Sequence, residues 1–370
     1  MASTTTLIPA IATHPGEMLL DELQANGFSQ SDFALQIGVK KSLLNEIIKG
    51  KRDINAEIAI MLESTLKIPA TFWMNAQSNY AIAKAKIEQR NQQRINAIQQ
   101  WDLYKTMVPI KYLTKHGVVK KDPVLDIVAI QKVYQVQAAD GIVHQLNNYK
   151  SNYTFFRKSV KKKTDVIAAL AWTKLVQHHA NQIEVSEFNI NTKDNLIADL
   201  KLVINKNKNL LSTCKAVLAS YGIKLIFLPK PESTYIDGVT LWSNNRPAIG
   251  ITLRYNTLDR FVFTLFHELG HVFLHLVNNN QLEFLDVELD DNALLSDTEK
   301  EADAFAQTHL IPKDAWQKFI AGKNEIYLFN DKLIGVFAKQ CNMQPSIIKG
   351  RLCNHFNEFK FHSAYKGELK

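Results

Sequence analysis

The 370 residues predict a mainly α-helical chain with one small sheet, in the order N-terminal helix-turn-helix bundle, helical middle region and C-terminal α+β unit. Three observations carry this. Apolar residues recur at helical spacing as far as Tyr221-Gly222. The period then shortens, because IKLIFLP, GVTLWS and PAIGITL are apolar or alternating runs bounded by Pro, Gly and Asn, which read as strands. Beyond them, FTLFHELGHVFLH and EKEADAFAQTHL return to helical spacing.

Taken in order, residues 14 to 75 form short helices stopped by Gly27, Gly38 and Gly50, with Ser29 and Asn55 as caps. Leu19, Leu20 and Leu23, then Phe33, Ala34 and Ile37, then Leu43, Leu44, Ile47 and Ile48 supply their inner faces. Asn79 to about Tyr104 is polar and reads as a long connecting helix. KKDPVLDIVAIQKVY, DVIAALAWTKLVQHH and DNLIADLKLVIN are further helices. After the strands, a helix runs from Asp259 through His275, an acidic loop follows (ELDDNALLSD), and another helix runs from near Thr298 to before Pro312. The length exceeds one compact core, and the expected domains are 1–80, 81–210 and 211–370.

Composition excludes some classes. Hydrophobic residues make up 46% and charged residues 22%, ordinary for globular material. MASTTTLIPA has neither the basic start nor the apolar run of a signal peptide, and no segment offers about 18 uncharged apolar residues. A soluble cytoplasmic protein with no membrane partner is expected. Cys214, Cys341 and Cys353 form no C-x-x-C pair, so no disulfide framework or thiolate metal site is suggested. Residues 1–100 hold 10 Lys+Arg against 9 Asp+Glu, residues 101–230 hold 20 against 9, and residues 231–370 hold 14 against 18. The basic excess therefore lies in the middle.

His267 and His271 are four residues apart, on one helical face, and can present a ring nitrogen each to one ion. Glu268, between them, stands where a general base for water belongs. A third histidine six residues on, after a glycine, would mark one class of zinc hydrolase, but Val277 and Leu274 occupy those positions. His275 lies about 12 Å along the axis from His267, too far to share its ion, and is expected to cap, pack or hydrogen-bond beneath the site. EKEADAFA offers the third ligand: Glu299 would bind the metal, while Asp303, one turn on, accepts the other N–H of a ligating histidine. Glu301 faces away and reads as solvated. The chemistry implied is metal-assisted amide hydrolysis, with PAIGITL as an exposed edge strand for substrate backbone. Tyr255 and His309 are both candidates for oxyanion stabilisation.

SQSDFALQIGVKKSLLNEIIKGKR carries the parts of a DNA-reading helix pair: Ala34 for the crossing, Gly38 for the turn, and Val39, Leu44 and Ile47 or Ile48 for the core. Gln30, Lys40, Lys41, Ser42 and Asn45 would face DNA, and Lys49, Lys51 and Arg52 would hold phosphates. RKSVKKK (Arg157 to Lys163) reads as a solvated charge run, and His178-His179 as binding nothing. FAKQCNMQPSII (Phe337 to Ile348) echoes FALQIGVKKSLL (Phe33 to Leu44), with Asn342 for the turn glycine and Pro345 in a first helical turn. A second such pair, with a structural role, is expected there.

Both ends resemble known families. HPGEMLLDELQANGFSQSDFALQIGV with IIKGKRDINAEIA resembles the HigA-type branch of the Xre/Cro helix-turn-helix family, the DNA-binding antitoxins of toxin-antitoxin modules. DRFVFTLFHELGHVFLH with EKEADAFAQTHLIP resembles the ImmA/IrrE metallopeptidases, as does FFRKS followed by AALAW. The resemblance implies a zincin-like fold of gluzincin type, Zn²⁺ on His267, His271 and Glu299, and Glu268 as base. It implies a bacterial regulator, expected as a homodimer on operator DNA, whose zinc endopeptidase cleaves a repressor, an antitoxin or itself. The alternative is a regulator that keeps the peptidase fold as a scaffold for a toxin or signal. Lys40-Lys41 departs from the usual start of the recognition helix, and Thr308-His309 stands where apolar residues are usual.

Overall fold

The computed structural model describes residues 11–156, 165–232, 234–277, 284–287, 297–365 and 367–369. The basic run 157–163 and most of the acidic loop lie outside them. The chain forms two compact units, Met1–Trp101 and Asp102–Lys370.

In the first unit, α1 (Pro15–Ala25), α2 (Gln30–Gln36), α3 (Lys41–Ile48), α4 (Ala56–Leu66) and the start of α5 (Ala70–Met107) enclose Leu19, Phe33, Ala34, Leu44, Ile47 and Trp73. The Ser29 side chain accepts from the Asp32 N–H at 3.1 Å and that of Asn55 from the Ile58 N–H at 2.9 Å, so both caps act as the sequence suggests. Gly38 takes the turn between α2 and α3 at φ 74°, a left-handed conformation that suits glycine.

His14 has a larger part here than its position suggests. Buried, it accepts the Gly16 N–H on Nδ1 at 2.9 Å and so caps α1. Gly16 in turn lies so close to α3 that a Cβ would stand 2.0 Å from the Ile47 carbonyl oxygen. Burial lowers the His14 pKa below its ordinary 6.5, only partly opposed by Asp53. The folded unit thus prefers the neutral ring. Its contribution to stability is complete above about pH 6.5 and is lost as pH falls through the lowered value. Thermal melts of the full chain between pH 7.5 and 5 should show a steeper loss for wild type than for His14→Asn, which keeps a cap acceptor without a titrating ring. Parallel curves would refute the assignment.

The second unit begins with α6 (Ile110–Lys115), α7 (Pro123–Tyr134), α8 (Ala139–Phe156), α9 (Val166–Ala180), α10 (Lys193–Lys206) and α11 (Leu210–Ser220). The sheet comprises β1 (Lys224–Phe227), β2 (Ile236–Ser243), β3 (Arg246–Ile251) and β4 (Phe284–Val287) in the order β1-β3-β2-β4. β1 and β3 are parallel, and the other neighbours antiparallel. Helix α9 lies on this sheet: Trp172 donates its indole N–H to the Leu228 carbonyl at 3.0 Å, and Val176 presses on Gly250. That packing places the middle helices in the same unit as the sheet.

β3 is not the exposed edge that PAIGITL suggested. It lies between β1 and β2, with Pro247 to Ile251 buried, because its apolar run is covered on both faces. β4 ends the sheet beside β2.

Helices α12 (Leu258–Gly270), α13 (Asp297–Leu310), α14 (Lys313–Ile320), α15 (Glu325–Leu328), α16 (Asp331–Gln340) and α17 (Pro345–Phe356) complete the unit. Asn342, at φ 51°, turns the chain between α16 and α17, with Pro345 in the first turn of α17. Ile334, Phe337, Ala338, Ile348 and Leu352 of this pair join the core that also holds Phe261, Leu265 and Leu269 of α12.

Candidate metal centre

α12 buries Phe261, Val262, Leu265, Phe266 and Leu269, which fixes the direction of its remaining face. His267 and His271 leave that face together, their Nε2 atoms 3.0 Å apart. Glu299, in the first turn of α13, brings Oε2 to 3.1 Å from His267 Nε2 and Oε1 to 3.5 Å from His271 Nε2. Two ligands at about 2.0–2.1 Å from a tetrahedral ion would stand about 3.3 Å apart, close to all three separations.

Gly270 permits the close approach of α13. A Cβ there would lie 2.9 Å from Ala302 Cα and 3.2 Å from the Ala302 carbonyl oxygen. The backbones therefore cross with only a hydrogen and a methyl group between them, one turn from the ligands.

Two carboxylates set the histidine tautomers. Asp303 Oδ1 lies 2.9 Å from His267 Nδ1, so the ring donates there and turns an Nε2 lone pair inward. Glu301 is 61% exposed, yet its Oε2 meets His275 Nε2 at 2.9 Å. His275 Nδ1 is then the acceptor for His271 Nδ1, 3.1 Å away, and the His271 Nε2 lone pair also faces inward. With both protons placed outward, two imidazole lone pairs and a carboxylate converge within 4.8 Å, a donor set that fits a zinc ion. From His271 to Leu276 the helix changes from α to π winding, where a continuous α-helix is expected, and His275, four residues on from His271, stays beside it.

His267, His271 and Glu299 are 4%, 0% and 7% exposed. Burial lowers the His271 pKa. Burial alone would raise that of Glu299, but hydrogen bonds and charge from His267 and His271 outweigh it and bring the carboxyl to about 2. His271 and Glu299 are thus both biased toward the deprotonated form that a metal ligand needs.

Glu268 points from the same helix toward β2. Thr240 donates its hydroxyl to Glu268 Oε2 at 2.5 Å, and a Cβ at Gly238 would stand 2.1 Å from Oε1. Thr240 and Gly238 were not among the residues singled out from the sequence. The alternation in GVTLWS places them on one face, but only the tertiary fold tells that this face meets Glu268. Tyr255 and His309 are not brought to the cluster. Tyr255 lies before α12, beside Arg254 and Arg260, about 14 Å of helix rise short of His267. His309, about 15 Å along α13 from Glu299, packs its Nδ1 on the Phe305 carbonyl.

In the first unit, Lys40, Lys41, Ser42, Lys49, Lys51 and Arg52 are exposed around α3, and Gln30 and Asn45 are half-buried. Arg52 also meets Glu46 at 3.6 Å.

These features define a helix-turn-helix unit followed by an α+β unit with an H-E-x-x-H helix and a third, downstream carboxylate. Comparison with known proteins gives the families. Residues 19–73 match the helix-turn-helix family and residues 218–328 the IrrE N-terminal-like domain. The chain is 37% identical to virulence-associated protein A of Dichelobacter nodosus over 73 residues, 19% of this chain and 72% of that protein. It is 36% identical to virulence-associated protein I of the same organism over 92 residues, 25% and 81% of the two chains. Among solved structures, the Pseudomonas aeruginosa antitoxin HigA with its higBA promoter is 36% identical, with 22% of this chain and 89% of that one covered and a TM-score of 0.21. A HigA-family antidote protein from Coxiella burnetii is 28% identical, with 22% and 90% covered and a TM-score of 0.21. At its N-terminal end the chain belongs to the Xre-like helix-turn-helix family, and toward its C-terminal end it carries an ImmA/IrrE-like domain. No helix among the described residues is long and apolar enough to cross a membrane.

Proposed function

We propose that this protein is a DNA-binding regulator whose second unit is a zinc-dependent endopeptidase acting on a repressor, an antitoxin or the chain itself. The observation that carries the hydrolytic half is the convergence of the His267, His271 and Glu299 lone pairs, their tautomers set by Asp303 and by His275 with Glu301. When bound there, zinc would supply Lewis acidity for a scissile carbonyl and for water. Glu268 takes the proton of the attacking water and delivers it to the leaving amine. Thr240 holds the carboxylate through Oε2, and Gly238 leaves space at Oε1. With β3 internal, β4 is the strand beside the site that can add substrate backbone.

Full burial of Glu268 and His271 favours a second form of this reading, in which cleavage awaits a partner or signal that opens the centre. Without such opening, the same unit serves as a non-catalytic scaffold for a toxin or signal. Incubating the full chain with the product of the adjacent gene, with and without a chelator, tests the endopeptidase. Cleavage should depend on zinc and vanish in His267→Ala; cleavage that survives in His267→Ala would refute it.

For the first unit, α3 is the helix that enters the major groove, with Lys41, Ser42 and Asn45 near its start and Lys49 and Arg52 on phosphates. The near balance of charge in residues 1–100 leaves little long-range attraction, so affinity rests on these contacts and on dimer formation. Lys41→Ala with Asn45→Ala should weaken binding to the protein's own promoter by about 10- to 100-fold in a gel-shift titration. Unchanged binding would remove α3 from the groove.

A further inference from the structure

The second unit contains a cavity of about 770 Å³ between α12, α13, α14, α17 and the C-terminal tail. None of the metal-centre residues line it. The link is Phe263, a lining residue whose ring centroid is 6.3 Å from that of His267. Four cations converge on the cavity, Arg260, Lys313, Lys349 and Arg351, against one acid, Asp259. This excess runs against the surrounding composition, since residues 231–370 carry more acids than bases.

Among the described residues, none of the four cations lies within ion-pair distance of a carboxylate. Arg351 donates to the carbonyls of Gln307 and Ile311 at 3.1 and 3.0 Å and stacks 4.3 Å over Trp316. Burial lowers its pKa to about 10. A half-buried guanidinium held on neutral partners keeps its charge uncompensated, which is costly unless an anion completes the site. Arg260 lies 4.9 and 5.9 Å from the ring centroids of Tyr255 and Phe359. Both rings are exposed at 37% and 57% and offer a stacking surface beside the cations.

Guanidinium forks suit phosphate oxygens, flat apolar rings suit a heterocycle, and the volume lies in the range of about 300–1,000 Å³ that holds a small molecule. We propose that this cavity binds a nucleoside phosphate, with the phosphate on the cations around Arg351 and the base against Tyr255 and Phe359. The site stands independently of what the metal centre does.

Calorimetric titration of ADP into the full chain carrying His267→Ala, in the presence of EDTA, keeps the readout off the metal centre. Saturable binding is expected at about one ADP per chain, with a dissociation constant below about 100 µM. Arg260→Ala and Lys349→Ala, both substitutions of solvent-reaching side chains, should each weaken it at least about fivefold while melting as the parent does. Arg351→Lys should weaken it further, because it loses the fork. No saturable binding of ADP, GDP or UDP would overturn the proposal, as would an affinity unmoved by the Arg260→Ala, Lys349→Ala double variant. Inorganic phosphate binding as tightly as ADP would overturn the role of the rings. An octameric glutamate peptide that binds more tightly than ADP would replace the nucleotide with an acidic segment.

Discussion

Glu268→Gln should retain bound zinc at the wild-type level and lose cleavage by at least about 100-fold. The glutamine matches the carboxylate in shape, so it fits the space that Gly238 leaves and still accepts the Thr240 hydroxyl through its carbonyl oxygen. None of the ligand atoms is touched, because His267, His271 and Glu299 form their cluster without Glu268. What disappears is the group that moves the proton. Metal analysis by plasma emission and a substrate-cleavage assay on the same preparation decide the matter. Zinc retained with cleavage unchanged would show that Glu268 is not the base and would leave the scaffold reading. Thr240→Val provides the finer test: it keeps the volume but removes the donor, so cleavage should fall with zinc content intact.

Gly270→Ala should weaken zinc binding by at least about tenfold and lower the stability of the metal-free chain by about 1–3 kcal/mol. The added methyl would meet the α13 backbone at Ala302, where no side-chain rotation can relieve the contact. α13 must move as a body, and it carries both the candidate ligand Glu299 and Asp303, which meets His267 Nδ1. A competition titration against a chromogenic zinc chelator reads the first effect, and a thermal melt in EDTA the second. If zinc affinity matched wild type, the close crossing would not be what holds the third ligand.

Much of the helical order could be read in advance because its causes are local. Ser29 and Asn55 cap as their side chains dictate, Gly38 turns the chain where a left-handed residue is needed, and Asn342 repeats that role near the C-terminus. The pairing of His267 with His271 is equally local, since four residues bring side chains to one helical face. Asp303 on His267 was also anticipated, because its place one turn beyond Glu299 needs only that α13 approach α12.

The errors and omissions are non-local. PAIGITL has the apolar run of a strand, but the run does not tell which neighbours flank it, and β3 became internal when β1 added in parallel beside it. His275 and Glu301 meet only because α13 packs beside α12 and its continuation through His275, a placement that the spacing within either helix does not contain. The middle helices joined the sheet's unit through contacts such as Trp172 with Leu228, across 56 residues of sequence.

The sequence by itself determined the candidate ligand residues, the candidate base, the helix-turn-helix parts and many of the helix caps, since periodicity, capping and spacing act within a few residues. Only the tertiary structure decided which strand lies at the edge, that Thr240 and Gly238 frame Glu268, and that Gly270 sets the distance of α13. Those outcomes depend on which surfaces exclude water against one another, and one-dimensional spacing does not contain that information.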